Sequence, residues 1–152
     1  MNIRLAMEED IDQLIKMRWD FTKEYSEIGE VAYDDFYNEC KNFLSKEIYG
    51  DRWKFWVAEI NGKVISHVFV QLIDKVPRPG RITRPFGYVT NVYTLSEYRG
   101  KKIGSELNSK MKEWANEEKL EFLIVWPSSN SIDFYTRNGY KKAEEPMEIY
   151  FD

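Results

Sequence analysis

The chain is poor in the side chains that most often carry chemistry. It has one cysteine, Cys40, so no internal disulfide can close and no cysteine cluster can hold a metal. That usage suits a reducing cytoplasm. Cys40 also falls on an apolar helical stripe, which points to packing rather than nucleophilic attack. The single histidine, His67, is not accompanied by a nucleophile elbow, so a Ser-His-Asp triad is not indicated. It reads instead as a half-buried strand residue. No apolar run is long enough to cross a bilayer, and no leader-like segment or repeat is visible, so no membrane partner is expected. Nor is there a basic excess: 22 Lys and Arg stand against 26 Asp and Glu, net −4, which argues against a nucleic-acid face. The spacings of the nucleoside-triphosphate loop and of the dinucleotide-binding loop are both absent, and no metal site is suggested.

What is present is an ordinary mixed α/β pattern. With 152 residues, 43% hydrophobic and 32% charged, and no break in composition, residues 1–152 read as a single domain. Ile3-Arg4-Leu5 reads as a short strand. Glu8 to about Tyr25 repeats apolar residues at Ile11, Leu14, Ile15, Phe21 and Tyr25, the spacing of a helix. A second helix is predicted from Tyr33 to Ile48, with Tyr33, Phe36, Tyr37, Cys40, Phe43 and Leu44 on one side. Phe55–Ile60 and Val64–Val70 flank Asn61-Gly62, a strong hairpin signal. A linker from Asp74 to Pro85 carries Arg78, Arg81 and Arg84, which read as a solvated loop held open by prolines rather than as anion ligands.

The segment Val89 to Ser105 carries the most information. A β-branched strand runs through a polar turn into a helix whose first residues include Gly100 and Gly104, beside Arg99, Lys101 and Lys102. Such a start turns unpaired backbone N–H groups and the positive end of the helix dipole onto one spot, a fit for phosphate. Ile103, Leu107, Met111 and Trp114 continue as a helical stripe, and the run Glu121–Trp126 predicts a strand covered on both faces, ended by Pro127. Strand, helix and strand form a βαβ unit with parallel strands. A short helix across Ser131–Asn138 then closes on Gly139, and a further strand is expected after it.

Arg99-Gly100-Lys101-Lys102-Ile103-Gly104 resembles the acyl-CoA loop of the GNAT superfamily of N-acetyltransferases, in which the form is Arg/Gln-x-x-Gly-x-Gly/Ala. Lys102 stands where that family usually has glycine. Phe134-Tyr135 and Gly139-Tyr140 stand at the spacing of the family's later helix, with Ser128 at a position where the family often has asparagine and Ser131 where it usually has alanine. The matching regions make up about the last third of the chain.

The resemblance implies a fold of strand, two helices, antiparallel strands, βαβ, and a C-terminal short helix and strands. It implies acetyl-CoA as cosubstrate and an amine of a small molecule or peptide as acceptor. In the role of cofactor-binding residues it places Val92, Tyr93 and Thr94 along the pantetheine arm, with Val92 N–H polarising the thioester carbonyl. Arg99, Gly100, Lys101, Lys102, Ile103, Gly104 and Ser105 come at the diphosphate, acting mainly through their main chain, and Ser128 joins the cofactor set. Tyr135 corresponds to the tyrosine that protonates the departing thiolate. Dimers are frequent in the family, so a homodimer is among the implied partners. The early helices and their loop, with Trp19, Tyr25, Glu27, Glu30, Tyr33, Asp34 and Asp35, are expected to wall the acceptor pocket, and most of the aromatics to belong to the core. No base is named by pattern; Glu30 and Asp34 are the available carboxylates. The alternatives are a catalytically silent CoA-binding or sensing module of the same fold and a nucleotide-phosphate binder using the same loop; the presence of Tyr135 favours an enzyme.

Overall fold

The computed structural model describes residues 1–151. Strand β1 (Asn2–Leu5) is followed by helices α1 (Ile11–Tyr25) and α2 (Tyr33–Glu47), then strands β2 (Trp53–Ile60), β3 (Lys63–Ile73) and β4 (Phe86–Thr94). Helix α3 (Ile103–Glu117), strand β5 (Leu123–Ile124) and helix α4 (Ile132–Arg137) complete it. The five strands form one sheet in the order β1-β2-β3-β4-β5. The first three neighbouring pairs are antiparallel and β4–β5 is parallel. The β2–β3 turn has both Asn61 and Gly62 at positive φ, 50° and 83°, the conformation that Asn-Gly hairpins favour.

Two apolar layers sandwich the sheet. Ile11, Leu14, Ile15 and Met17 of α1 and Leu44 of α2 pack on Phe55, Val57, Phe69 and Tyr93 of one face. Ile103, Leu107 and Met111 of α3 pack on Trp56, Ile65, Val68, Val70 and Val89 of the other. Each such buried side chain contributes about 1.5–3 kcal/mol relative to an exposed one. The chain enters α1 through Asp10, whose carboxylate accepts from Met7 N–H at 2.7 Å and from the Arg4 guanidinium at 2.7 and 3.1 Å.

Several sequence expectations are corrected. β5 has two residues rather than six, and Phe122 and Trp126 on either side of it are exposed. It is the edge of the sheet, so it is not covered on both faces. The strands expected after α4 do not form among the described residues: from residue 141 to 151 there is no strand, and Met147, Ile149, Tyr150 and Phe151 project outward. An edge as short as β5 presents few ladder groups for a further strand to pair with. His67 is fully buried rather than half-buried, because both helical layers and the neighbouring strands close over the centre of β3. Tyr25 is exposed at the end of α1.

Gly87 sets how closely β5 can lie against β4. A Cβ there would stand 2.6 Å from Leu123 Cδ2 and 2.9 Å from Val70 Cγ1. Substitution Gly87→Ala is expected to lower the unfolding free energy by about 1–3 kcal/mol in urea denaturation, through overpacking at the first rung of the parallel pair.

Candidate active site

β4 and β5 pair only at Gly87–Leu123 and Tyr88–Ile124. Past that rung the strands separate, and from Val89 onward β4 has no neighbour on its β5 side. The opening is widened by a β-bulge. Phe69 pairs with Thr90 and His67 with Tyr93, so β4 spends one residue more than β3 over the same stretch. Asn91 takes up the slack with φ +54°, a left-handed conformation that asparagine tolerates better than most residues.

The bulge is held from two sides. His67 Nδ1 lies 2.6 Å from the Asn91 carbonyl oxygen. A carbonyl only accepts, so the proton sits on Nδ1 and the buried Nε2 carries a lone pair with no partner. Burial pulls the imidazole pKa down to about 4, with the bond to Asn91 opposing the shift. From α1, Arg18 Nη1 donates to Asn91 Oδ1 at 3.1 Å.

Thr94 ends β4, and the chain turns through Ser96–Tyr98 into Arg99. The Arg99 side chain is engaged within the fold. It grips the Glu24 carboxylate at 2.6 and 2.7 Å, donates Nε–H to the Thr94 carbonyl at 2.9 Å, and lies over the Tyr93 ring. The Glu24 hydrogen bond holds the guanidinium charged and the carboxyl below its ordinary range. The positive charge that sequence places at the loop is thus partly cancelled. What faces outward is main chain. From Gly100 to Ser105 no backbone N–H has a partner among the described residues, and Lys102 leads α3 with no side-chain cap. Lys102 itself sits at φ +64° and ψ +10°, and Gly100 at φ +76°. These left-handed residues rotate the N–H groups outward as a fan. A Cβ at Gly104 would make ordinary contact with Phe134 at 3.4 Å and Thr94 Oγ1 at 3.5 Å, so the first turn of α3 has room for an alanine there.

Helix α4 closes the other flank. Asn138 Nδ2 donates to Ser105 Oγ at 3.2 Å, tying α4 to the first turn of α3. Tyr135 is buried between Phe134 and Tyr140, with ring centroids at 5.2 and 5.3 Å. Burial, with the Tyr88 phenol adding to it, pushes its hydroxyl pKa up to about 12. Tyr140 donates to Asn108 Oδ1 at 3.3 Å.

A family model described as the acetyltransferase (GNAT) family matches residues 12–140. The chain belongs to this family. It is 24% identical over 152 residues to an uncharacterized N-acetyltransferase of Archaeoglobus fulgidus, covering 95% of each chain. A predicted acetyltransferase of Clostridium acetobutylicum, solved with acetyl-CoA, superposes with a TM-score of 0.82 at 23% identity, covering 98% of this chain and 95% of that one. A GCN5-related N-acetyltransferase of Ralstonia eutropha gives a TM-score of 0.77 at 18% identity, over 98% of this chain and 97% of that one. This GNAT domain is an N-acetyltransferase.

Within the GNAT fold, Val92, Tyr93 and Thr94 border the strand opening, and Gly100 to Ser105 form the N–H fan beside it. Ser128 lies in the loop after β5, its hydroxyl donating to Ser131 Oγ at 3.1 Å. The Tyr93 side chain turns away into the α1 layer, 4.9 Å from Phe21. Cys40 packs against the same layer, and burial raises its thiol pKa. Among the linker arginines, Arg81 pairs with Glu121 at 3.1 Å. Trp19 packs against Tyr33 and Phe36 at 5.1 and 5.6 Å. Sequence reasoning did not find the Asn91 bulge or the pins on it. The signal available was an asparagine inside an otherwise β-branched strand. A cavity of about 820 Å³ lies on the α1 face between Asp12, Lys16, Tyr93 and Ser96, and Tyr135 is not among its lining residues. No helix among the described residues is long and apolar enough to cross a membrane.

Two stability effects follow. His67 is neutral in the fold and protonates near pH 6.5 once unfolded, so acid favours the unfolded chain; its stabilisation is complete above pH 6.5 and lost as pH falls toward 4. Chemical denaturation should lose about 2 kcal/mol between pH 7 and pH 5. The variant His67→Gln, although less stable at pH 7, should show a flatter profile over that interval. At the helix start, Lys102→Gly relieves a left-handed conformation and should raise the unfolding free energy by about 0.5–1 kcal/mol, whereas β-branched Lys102→Val should lower it.

Proposed function

We propose that this N-acetyltransferase binds acetyl-CoA in the opening between β4 and β5 and passes the acetyl group directly to the amine of a small molecule or peptide. The observation that carries this reading is the fan of unpartnered N–H groups from Gly100 to Ser105, placed where the unpaired edge of β4 ends. The diphosphate is held there by the main chain of Arg99, Gly100, Lys101, Lys102, Ile103, Gly104 and Ser105, at the positive end of the α3 dipole. The pantetheine arm runs back along Val92, Tyr93 and Thr94 as a strand would, using backbone groups that β5 leaves unpaired. Ser128 adds a hydroxyl from the loop after β5.

The acceptor nitrogen, once neutral, attacks the thioester carbonyl carbon. Negative charge gathers on the carbonyl oxygen, where the Val92 N–H donates to it. The tetrahedral intermediate collapses with cleavage of the C–S bond, and Tyr135 gives its phenolic proton to the leaving sulfur. The nitrogen sheds a proton in turn, and the phenolate regains one from solvent or from that nitrogen. A phenol whose pKa is pushed up to about 12 is fully protonated at neutral pH, the state an acid must be in. It is a weak acid in the free protein, and it becomes an effective one only where thiolate charge builds in a water-poor setting.

Thiol release from acetyl-CoA across a panel of amines tests the reaction, and calorimetric competition between coenzyme A and ATP tests the cofactor. A preference for ATP would overturn the cofactor assignment. Tyr135→Phe should lower kcat by about 10²–10³-fold while coenzyme A affinity changes little. Unchanged turnover in that variant would remove the acid role.

A further inference from the structure

The arginines that brace this fold are paired with carboxylates: Arg4 with Asp10, Arg52 with Glu47, Arg81 with Glu121 and Arg99 with Glu24. Arg18 is different. It is exposed on α1, and among the described residues no carboxylate oxygen lies within 4.0 Å of its guanidinium. Its one hydrogen bond goes to a neutral atom, Asn91 Oδ1, at 3.1 Å. Its guanidinium carbon stands 5.5 Å from the centre of the Phe21 ring. A guanidinium has five N–H donors in a rigid fork, so most of this one is left to face outward at the bulge. Its bond to Asn91 and its contact with Phe21 place it where α1 meets the bulge.

Coenzyme A does not account for this cation. Its anionic groups belong at the far end of the strand, beside Gly100 to Ser105. From Asn91 to Thr94 the strand rises about 10 Å before the turn into that loop begins. What comes near Asn91 and Val92 is the thioester and the acceptor that attacks it, and the thioester carries no charge. An unpaired guanidinium beside an uncharged reacting group therefore calls for an anion on the acceptor.

We infer that the acceptor is an amine bearing an oxyanion, carboxylate or phosphate, within a few bonds of the reacting nitrogen, and that Arg18 binds this oxyanion while Asn91 orients the guanidinium. This rests on the placement of acetyl-CoA proposed above. The guanidinium fork matches either oxyanion in a bidentate manner, and fixing the anion fixes the distance of the nitrogen from the thioester. Arg18 is thus a specificity-determining residue for the transfer.

The test compares matched acceptors in the thiol-release assay: amino acids against their own amides, and amino-phosphates against the parent amino-alcohols. The wild-type enzyme should favour the oxyanion member of a pair in kcat/KM, and the two series tell carboxylate from phosphate. In Arg18→Gln, which keeps a polar side chain but loses the charge and the reach to Asn91 Oδ1, that preference ratio should fall about 10–100-fold. If Arg18 merely braces the bulge, Arg18→Gln lowers turnover on both members alike and the ratio stands, which overturns the inference. So does a wild-type enzyme that prefers the uncharged member throughout. Absence of thiol release with every amine would count against the proposed transfer instead. The Arg18 question is still decided in that event, by calorimetric titration of the same pairs into the coenzyme A complex. There, tighter binding of the oxyanion member that disappears in Arg18→Gln supports the inference, and equal binding overturns it.

Discussion

One extra residue in β4 organises the functional half of this molecule. A regular strand would keep its hydrogen-bonding groups in register with β3 and present a flat edge to β5. With Asn91 bulged at φ +54°, the strand bends, and its pairing with β5 is confined to Gly87 and Tyr88. A bulge of this kind costs a lost ladder bond and a left-handed residue. Here two side chains from different elements hold it: the buried His67 bonds the Asn91 carbonyl and Arg18 bonds the Asn91 side chain. The neutral imidazole is part of the same constraint, because a charged one in that setting would have no acceptor at Nε2.

The charges around the loop are divided between two tasks. Arg99 spends its guanidinium on Glu24 and the Thr94 carbonyl, which locks α1 to the end of β4. The main chain of Gly100 to Ser105 is left with N–H groups that have no partner among the described residues, with Gly100 and Lys102 in left-handed conformations, and these are the groups proposed to hold the diphosphate. A backbone fan is set by the fold itself, whereas long cationic side chains must be ordered on binding, at an entropic cost. Lys102 holds its left-handed conformation, φ +64°, with a side chain present, which is strained for any residue other than glycine.

Much of the architecture was readable in the amino-acid order. The Asn61-Gly62 hairpin, the α1, α2 and α3 stripes and the parallel β4–α3–β5 unit follow from hydrophobic period and turn chemistry, which are local properties. The places where reading failed depend on neighbours distant in sequence. Glu121–Trp126 looks like a covered strand because its composition is apolar, yet β5 is an edge, and Phe122 and Trp126 are exposed. The apolar residues after Pro146 look equally strand-like and form no ladder among the described residues, since pairing requires a partner edge. The loop and Tyr135 were nameable as candidates from the sequence because both are tied to short motifs. The meeting of Asn91, His67 and Arg18 was not legible, because it depends on β3, β4 and α1 coming together.

The sequence by itself determined the fold class and the family, because the hydrophobic periods and the loop motif are each encoded within a few consecutive residues or one turn of periodicity. The tertiary structure alone decided three further points. Arg99 serves the fold through Glu24, His67 is buried and neutral under the bulge, and Arg18 keeps an unpaired charge beside Asn91. Their common physical reason is that a charge is defined by what surrounds it. Its partner, its burial and its free valence come from residues up to 75 positions away along the chain.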